Sequence, residues 1–234
     1  MKLIIFDCDG TLVDSQQMIC AAMRQAFEAN DLSVPVRERL LSIVGLSLPD
    51  AFRRLGEGSM AGADFPVAGL VAAYRDAFAA LRASPDHLEP LYPGAREAVL
   101  ALAQAPETVL GVATGKSQRG VRAVLTRHGL LEHFATIHTA DDAPSKPHPG
   151  MLLAAMAATG AAPQQTVMIG DTVFDIEMAR AAGARAIGVA WGYHPVAELA
   201  QAGADAMVGD FSELAATLDA LWAAAPLAER RGAS

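Results

Sequence analysis

The sequence predicts an α/β protein: a doubly wound parallel sheet, with an all-helical unit inserted after its first strand. Three observations carry that prediction. The run Leu3-Ile4-Ile5-Phe6 is short, apolar and β-favouring, as a strand buried on both faces must be, and it ends in Asp7 and Asp9. Between about residues 15 and 88 the apolar positions recur at helical spacing and no strand pattern appears. From Tyr92-Pro93-Gly94 onward, helix and strand patterns alternate, which implies crossover connections and helices on both faces of a parallel sheet.

Composition bounds the rest. A chain of 234 residues supports one good-sized core, or one core with a smaller insert. At 52% hydrophobic and a net charge of -8 it reads as globular and not disordered. The acidic balance and the lack of any basic block argue against nucleic acid or an anionic membrane as partner. Cys8 and Cys20 have neither metal spacing nor a disulfide framework, so a reducing cytoplasm is the expected location. The opening apolar run is cut by Asp7, too early for a secretory segment. No apolar run reaches the roughly 18 residues of a membrane span; Asp219 and Pro226 interrupt the C-terminal candidate.

In chain order, Asp7 and Asp9 follow the first strand, and Gly10 lets the chain turn sharply away from them. Residues i and i+2 of a strand share a side, so both carboxylates face one point. Their mutual repulsion calls for a bound cation or a shared proton. Asp14 and Ser15 are candidate caps for a helix carrying Ile19, Met23, Ala26 and Phe27. Helical patterns follow at 36–44, 48–56 and 67–83, punctuated by Gly45, Gly56-Glu57-Gly58 and Ala61-Gly62-Ala63. This unit spans 15–88, with its exit at Ser84-Pro85-Asp86-His87, and the core takes 1–14 and 89–234. Core helices are expected at 94–105, 118–128, 149–159, 173–182 and 212–224. Core strands are expected at 109–113, 135–138, 166–169, 186–189 and 206–208, with a frayed tail after Pro226.

Ligands of such sheets sit at the carboxyl ends of the strands. Four strand ends carry polar residues there: Asp7 with Asp9, Thr114-Gly115, Lys146, and Gly170-Asp171-Thr172 with Asp175. Lys146 is one of three lysines, with Lys2 and Lys116. This set suits attack by a carboxylate on phosphorus through an aspartyl-phosphate. A hard cation such as Mg²⁺ is needed between two anions. A second carboxylate at i+2 can move the protons, worth roughly 10²–10⁴ in rate. The turn at Gly10, the Thr114 hydroxyl and the Lys146 ammonium can neutralise phosphoryl oxygens.

The words Asp-x-Asp-Gly-Thr-Leu-Val-Asp-Ser at 7–15, Thr-Gly at 114–115, Lys-Pro at 146–147 and Gly-Asp-Thr-x-x-Asp at 170–175 resemble the four motifs of the haloacid dehalogenase superfamily. Ala-Thr-Gly-Lys-Ser at 113–117, Lys-Pro-His-Pro at 146–149 and the helical insert resemble its phosphoglycolate-phosphatase-like subgroup, which has a small α-helical cap on a Rossmann-like core. The resemblance implies Asp7 as nucleophile and Asp9 as general acid/base. It implies Mg²⁺ held by Asp7, the main-chain carbonyl of Asp9 and Asp171, with Asp175 behind them or orienting Lys146. Thr114 and Lys146 would hold the phosphoryl group, beside the main chain of Cys8, Asp9, Gly10 and Gly115.

Within that family, Asp9 points to phosphoryl transfer, because members that cleave carbon–halogen bonds lack a proton donor there. No lysine lies between Lys2 and Lys116, so a cap lysine forming a Schiff base is ruled out, and mutases that use one are disfavoured. The expected activity is hydrolysis of a small phosphomonoester, phosphoglycolate-like by resemblance, by a monomer or homodimer. Pyrophosphate or nucleoside monophosphate hydrolysis is the enzymatic alternative, and an inactive phosphate-binding or regulatory protein the other. In the second motif Gly115 stands where Asn is commonest, so a backbone amide replaces a side chain, and Lys116 is expected to point away from the phosphate.

Lesser candidates have plainer readings. Gly45-Leu46-Ser47-Leu48 is either a loop that lowers onto the site or an ordinary helix–helix turn. Arg53, Arg54 and Arg75 are expected to be solvated rather than to bind a substrate carboxylate. His148 is expected to fix its loop, Asp141-Asp142 to cap or solvate, and Cys8 to be a core thiol. Trp191-Gly192-Tyr193-His194 is expected to shape the rim.

Overall fold

The computed structural model describes residues 1–57, 64–83 and 89–224. Strands β1 (Lys2–Phe6), β2 (Thr108–Thr114), β3 (Thr136–Thr139), β4 (Thr166–Gly170), β5 (Arg185–Val189) and β6 (Ala206–Val208) pair all-parallel in the order β3-β2-β1-β4-β5-β6. β1 lies at the point where the strand order reverses, which is where doubly wound sheets bind ligands.

The β1 run is apolar throughout because each of its faces has a layer to fill. Ile4, Phe6 and Cys8 pack with Val112, Ile169 and Ile187 under α5 (Ala95–Gln104), α6 (Gln118–Arg127) and α10 (Leu214–Ala223). Leu3 and Ile5 pack on the opposite face with Met168 and Ala186, under α7 (Gly150–Thr159), α8 (Val173–Ala181) and α9 (Val196–Ala202). Two-residue alternation thus sends the Cys8 thiol into the first layer and aims Asp7 with Leu3 and Ile5.

Helices α1 (Gln16–Glu28), α2 (Arg37–Leu41), α3 (Leu48–Gly56) and α4 (Val67–Ala83) share a core of their own. Phe27, Phe52 and Tyr74 form its aromatic centre, and Phe174 of α8 joins it from the sheet domain. The insert therefore packs on the core through apolar contact as well as through its chain connection.

Several elements differ from the sequence expectation. The helix foreseen at 36–44 is only the five residues of α2, and 42–46 form an irregular crossing to α3. Helix α9 was not anticipated: Pro195 starts it and Gly203 stops it after seven residues, too short for a periodic signal. Ser15 does not cap α1; its hydroxyl is committed elsewhere, and Asp14 Oδ1 accepts from Gln16 N at 3.3 Å instead. Ser84-Pro85-Asp86-His87, the punctuation at 58–63 and the tail after Pro226 lie outside the described residues. Among the described residues no helix is long and apolar enough to cross a membrane.

Candidate active site

At the end of β1 the chain turns at Gly10, whose φ of 88° an L side chain rarely adopts. A Cβ there would also overlap the Asp171 carboxyl. The turn thereby brings the first motif against the fourth. Carboxylate oxygens of Asp7, Asp171 and Asp175 all lie within 4.8 Å of one another, close enough to hold one metal ion.

Each carboxylate in this cluster is differently held. Asp171 Oδ1 accepts from the Thr11 hydroxyl at 2.8 Å and Oδ2 from Tyr193 N at 2.9 Å. Asp175 closes a capping box with Thr172 at the start of α8, its Oδ2 accepting from Thr172 N and Oγ1. Its Oδ1 accepts from Lys146 Nζ at 2.6 Å. Both Asp175 oxygens are thus engaged within the protein.

Asp7 is the least satisfied. Its Oδ1 accepts from Cys8 N at 2.6 Å. Its Oδ2 lies 3.0 Å from Lys146 Nζ, an ion pair without the alignment of a hydrogen bond, so this buried oxygen has no hydrogen-bond partner among the described residues. Burial first, and then the Asp175 charge, push the Asp7 carboxyl up to about 7 against the opposing pull of Lys146. Burial and the charges of Asp7 and Asp175 hold Asp171 well above the usual carboxylate range. Burial alone would lower Lys146, but Asp175 and Asp7 outweigh it and hold its ammonium charged.

Asp9 occupies a second network. Its Oδ1 accepts from the Ser15 hydroxyl at 2.5 Å and from Lys116 Nζ at 2.8 Å. Lys116 Nζ also donates to Glu89 Oε1 at 2.8 Å, and Glu89 Oε2 pairs with Arg82 Nε of α4 at 3.3 Å. Lys116 was expected to point away; the structure turns it inward, because two buried carboxylates await it. Those carboxylates outweigh the effect of burial and raise its pKa. Thr114 Oγ1 accepts from Lys116 N at 3.3 Å, which anchors the same turn.

Gly115 explains the departure in the second motif. A Cβ there would stand 2.5 Å from the carbonyl oxygens of Gly45 and Leu46 in the loop between α2 and α3. The cap backbone lies directly on this turn. Ser47 N donates to the Ser145 hydroxyl at 2.8 Å, and the Ser42 carbonyl lies 3.2 Å from His194 Nε2. Between cap and core is a cavity of about 420 Å³, reached by Asp7, Asp9, Thr114 and Gly115 from the core side.

The Gly10 amide donates to the Val13 carbonyl at 2.9 Å and the Cys8 amide to Asp7, so neither foreseen phosphate contact is free in this arrangement. Asp141 accepts from Gln118 N at the start of α6, and Asp142 braces Thr139. His148 Nδ1 accepts from Gly150 N at 3.1 Å, within its own loop. Arg53 pairs with Asp50, Arg54 lies over the Phe174 ring, and Arg75 is at the cavity mouth. Trp191 Nε1 donates to the Thr11 carbonyl at 3.0 Å, so this segment shapes the first-motif turn. Tyr193, expected only to shape the rim, donates its amide to Asp171, while Thr11, Ser15 and Glu89 join the site without having been expected there. Thr11 and Ser15 lie inside the first motif and were findable; Glu89, one acidic residue after a linker, left no signal.

The model of haloacid dehalogenase-like hydrolases matches residues 4–189. A probable phosphatase, IndB, of Dickeya dadantii is 37% identical over 222 residues, covering 94% of each chain. A phosphoglycolate phosphatase of Chromobacterium violaceum is 34% identical over 221 residues, covering 92% of this chain and 95% of its own. The crystal structure of CbbY from Rhodobacter sphaeroides in complex with phosphate superposes with a TM-score of 0.77 at 28% identity, covering 94% of this chain and 99% of that one. Fold, motif order and full-length similarity agree: the chain belongs to the haloacid dehalogenase-like hydrolases and is a phosphatase of that family.

Proposed function

We propose that this phosphatase is Mg²⁺-dependent and hydrolyses a small phosphomonoester through an aspartyl-phosphate on Asp7, beneath a helical cap spanning 15–88. The observation that carries the proposal is the unsatisfied Oδ2 of a fully buried Asp7, paired with Lys146 at the switch point of the sheet. The donor set fits a hard cation: all-oxygen, buried, and crowded with negative charge that Lys146 alone does not balance. Asp7, Asp171 and the main-chain carbonyl of Asp9 would hold it. When bound, Mg²⁺ supplies positive charge between the attacking carboxylate and the phosphoryl oxygens.

The residues then divide the work. Asp7 Oδ2 attacks phosphorus and the bond to the leaving oxygen breaks, while Asp9 gives that oxygen a proton. Asp9 next takes a proton from the water that attacks phosphorus, and Asp7 leaves as carboxylate. Thr114, Gly115 and Lys146 hold the phosphoryl group. Asp175 holds Lys146 in place, and the cap excludes bulk water.

Turnover of p-nitrophenyl phosphate with Mg²⁺, and again with EDTA, tests the reading. Metal-dependent turnover is expected. Its absence in a folded sample would favour a phosphate-binding protein instead. Asp7→Asn should lower kcat by ~10³-fold or more without unfolding the chain, checked by circular dichroism. Substantial residual activity would remove Asp7 as nucleophile.

A further inference from the structure

We propose that the alcohol this phosphatase releases is uncharged, bulkier than glycolate, and packs an apolar surface against the cap. The inference rests on the phosphatase reading above and deepens it. It begins from the walls of the cavity between cap and core. On the cap side these are Ile19 and Met23 of α1, then Ile43, Val44 and Leu46 of the crossing loop, with Phe78 of α4. Most of these side chains are themselves buried, so the wall is a packed surface that presents hydrocarbon to the ligand.

Charge accounting points the same way. The cavity is lined by four cations: Arg75, Arg82, Lys116 and Arg119. The inner two are already matched, Lys116 by Asp9 and Glu89, and Arg82 by Glu89. Arg75 and Arg119 are exposed at the mouth. A carboxylate two carbons from the phosphoryl group would lie in the inner part, against hydrocarbon, unless it displaced Asp9 or Glu89 from Lys116. Burying a charge without a partner is heavily penalised.

Size agrees. At about 420 Å³ the cavity falls within the range of sites that take drug-sized ligands, more than a two-carbon acid fills beyond its phosphoryl group. An apolar body gains from such a wall by its own burial.

The experiment compares kcat/KM for benzyl phosphate and phosphoglycolate, whose leaving alcohols have similar acidity. Benzyl phosphate is expected to be preferred about tenfold or more. Equal or better use of phosphoglycolate overturns the proposal, because Lys116 must then serve the substrate. Val44→Thr keeps the shape of the wall and adds a hydroxyl. It should cut the benzyl-to-glycolate ratio by about threefold or more, whereas an unmoved ratio removes this wall from recognition. If neither ester is turned over, the phosphatase reading fails separately. Calorimetry then decides the cavity question: benzylphosphonate binding tighter than phosphonopropionate supports the proposal, and the reverse order overturns it.

Discussion

Gly115 sets how closely the cap approaches the core. With no side chain, it lets the carbonyls of Gly45 and Leu46 rest on the second-motif turn. Gly115→Asn would supply the side chain that the motif resemblance leads one to expect there while driving a Cβ into that backbone. Backbone cannot yield as a flexible side chain does, so the crossing loop must lift. The expected outcome is a loss of ~10-fold in kcat/KM for p-nitrophenyl phosphate, with faster amide exchange across residues 42–47. Unchanged exchange would show that the cap does not rest on this turn. The substitution was visible in sequence as a departure, but its cause was not, because the atoms that forbid a side chain come from some 70 positions earlier in the chain. Lys116 illustrates the same limit: its neighbours Thr114 and Ser117 say nothing of Glu89, the partner that turns it inward.

At the scale of elements, the start of α8 joins helix capping to site construction. Asp175 stabilises the helix end through Thr172 and, with its other oxygen, holds Lys146 from the loop after β3. Asp175→Asn keeps the shape but removes the charge, leaving Lys146 with Asp7 alone. It should destabilise the fold by about 1–3 kcal/mol in urea titration and lower kcat. A change below ~0.5 kcal/mol would mean the pair is not structural. The α/β pattern was legible because buried strands and amphipathic helices differ in period, as β1, β2 and β4 show. The weak points were short elements under tertiary control. Helix α2 stops at Leu41 because 42–46 must cross to the core, a demand that no local propensity records. Helix α9 is held by Leu199, which packs under the sheet, and not by a repeating stripe.

For the whole molecule, the site gathers more negative charge than a folded core tolerates without help, and that links metal, pH and stability. Without metal, Asp7 titrates near 7 in the folded chain against an ordinary 3.8. Between about pH 4 and pH 7 the folded state therefore binds more protons than the unfolded one, and metal-free stability falls as pH rises through that window. Asp171 shifts in the same direction and adds to the slope. A divalent cation competes for the same oxygens, so its binding releases the protons that Asp7 and Asp171 hold and weakens as pH falls. Each proton displaced weakens apparent Mg²⁺ affinity by about tenfold per pH unit, so a loss of at least that slope is expected below pH 7. The rise in Tm caused by a fixed Mg²⁺ concentration should accordingly be large at pH 8 and nearly absent at pH 5.5, in buffers of matched ionic strength. Na⁺ at equal ionic strength should not reproduce it, because screening alone acts weakly on charges buried this deeply. An equal Tm rise at both pH values would show that the cation binds elsewhere than at the carboxylates of residues 7 and 171.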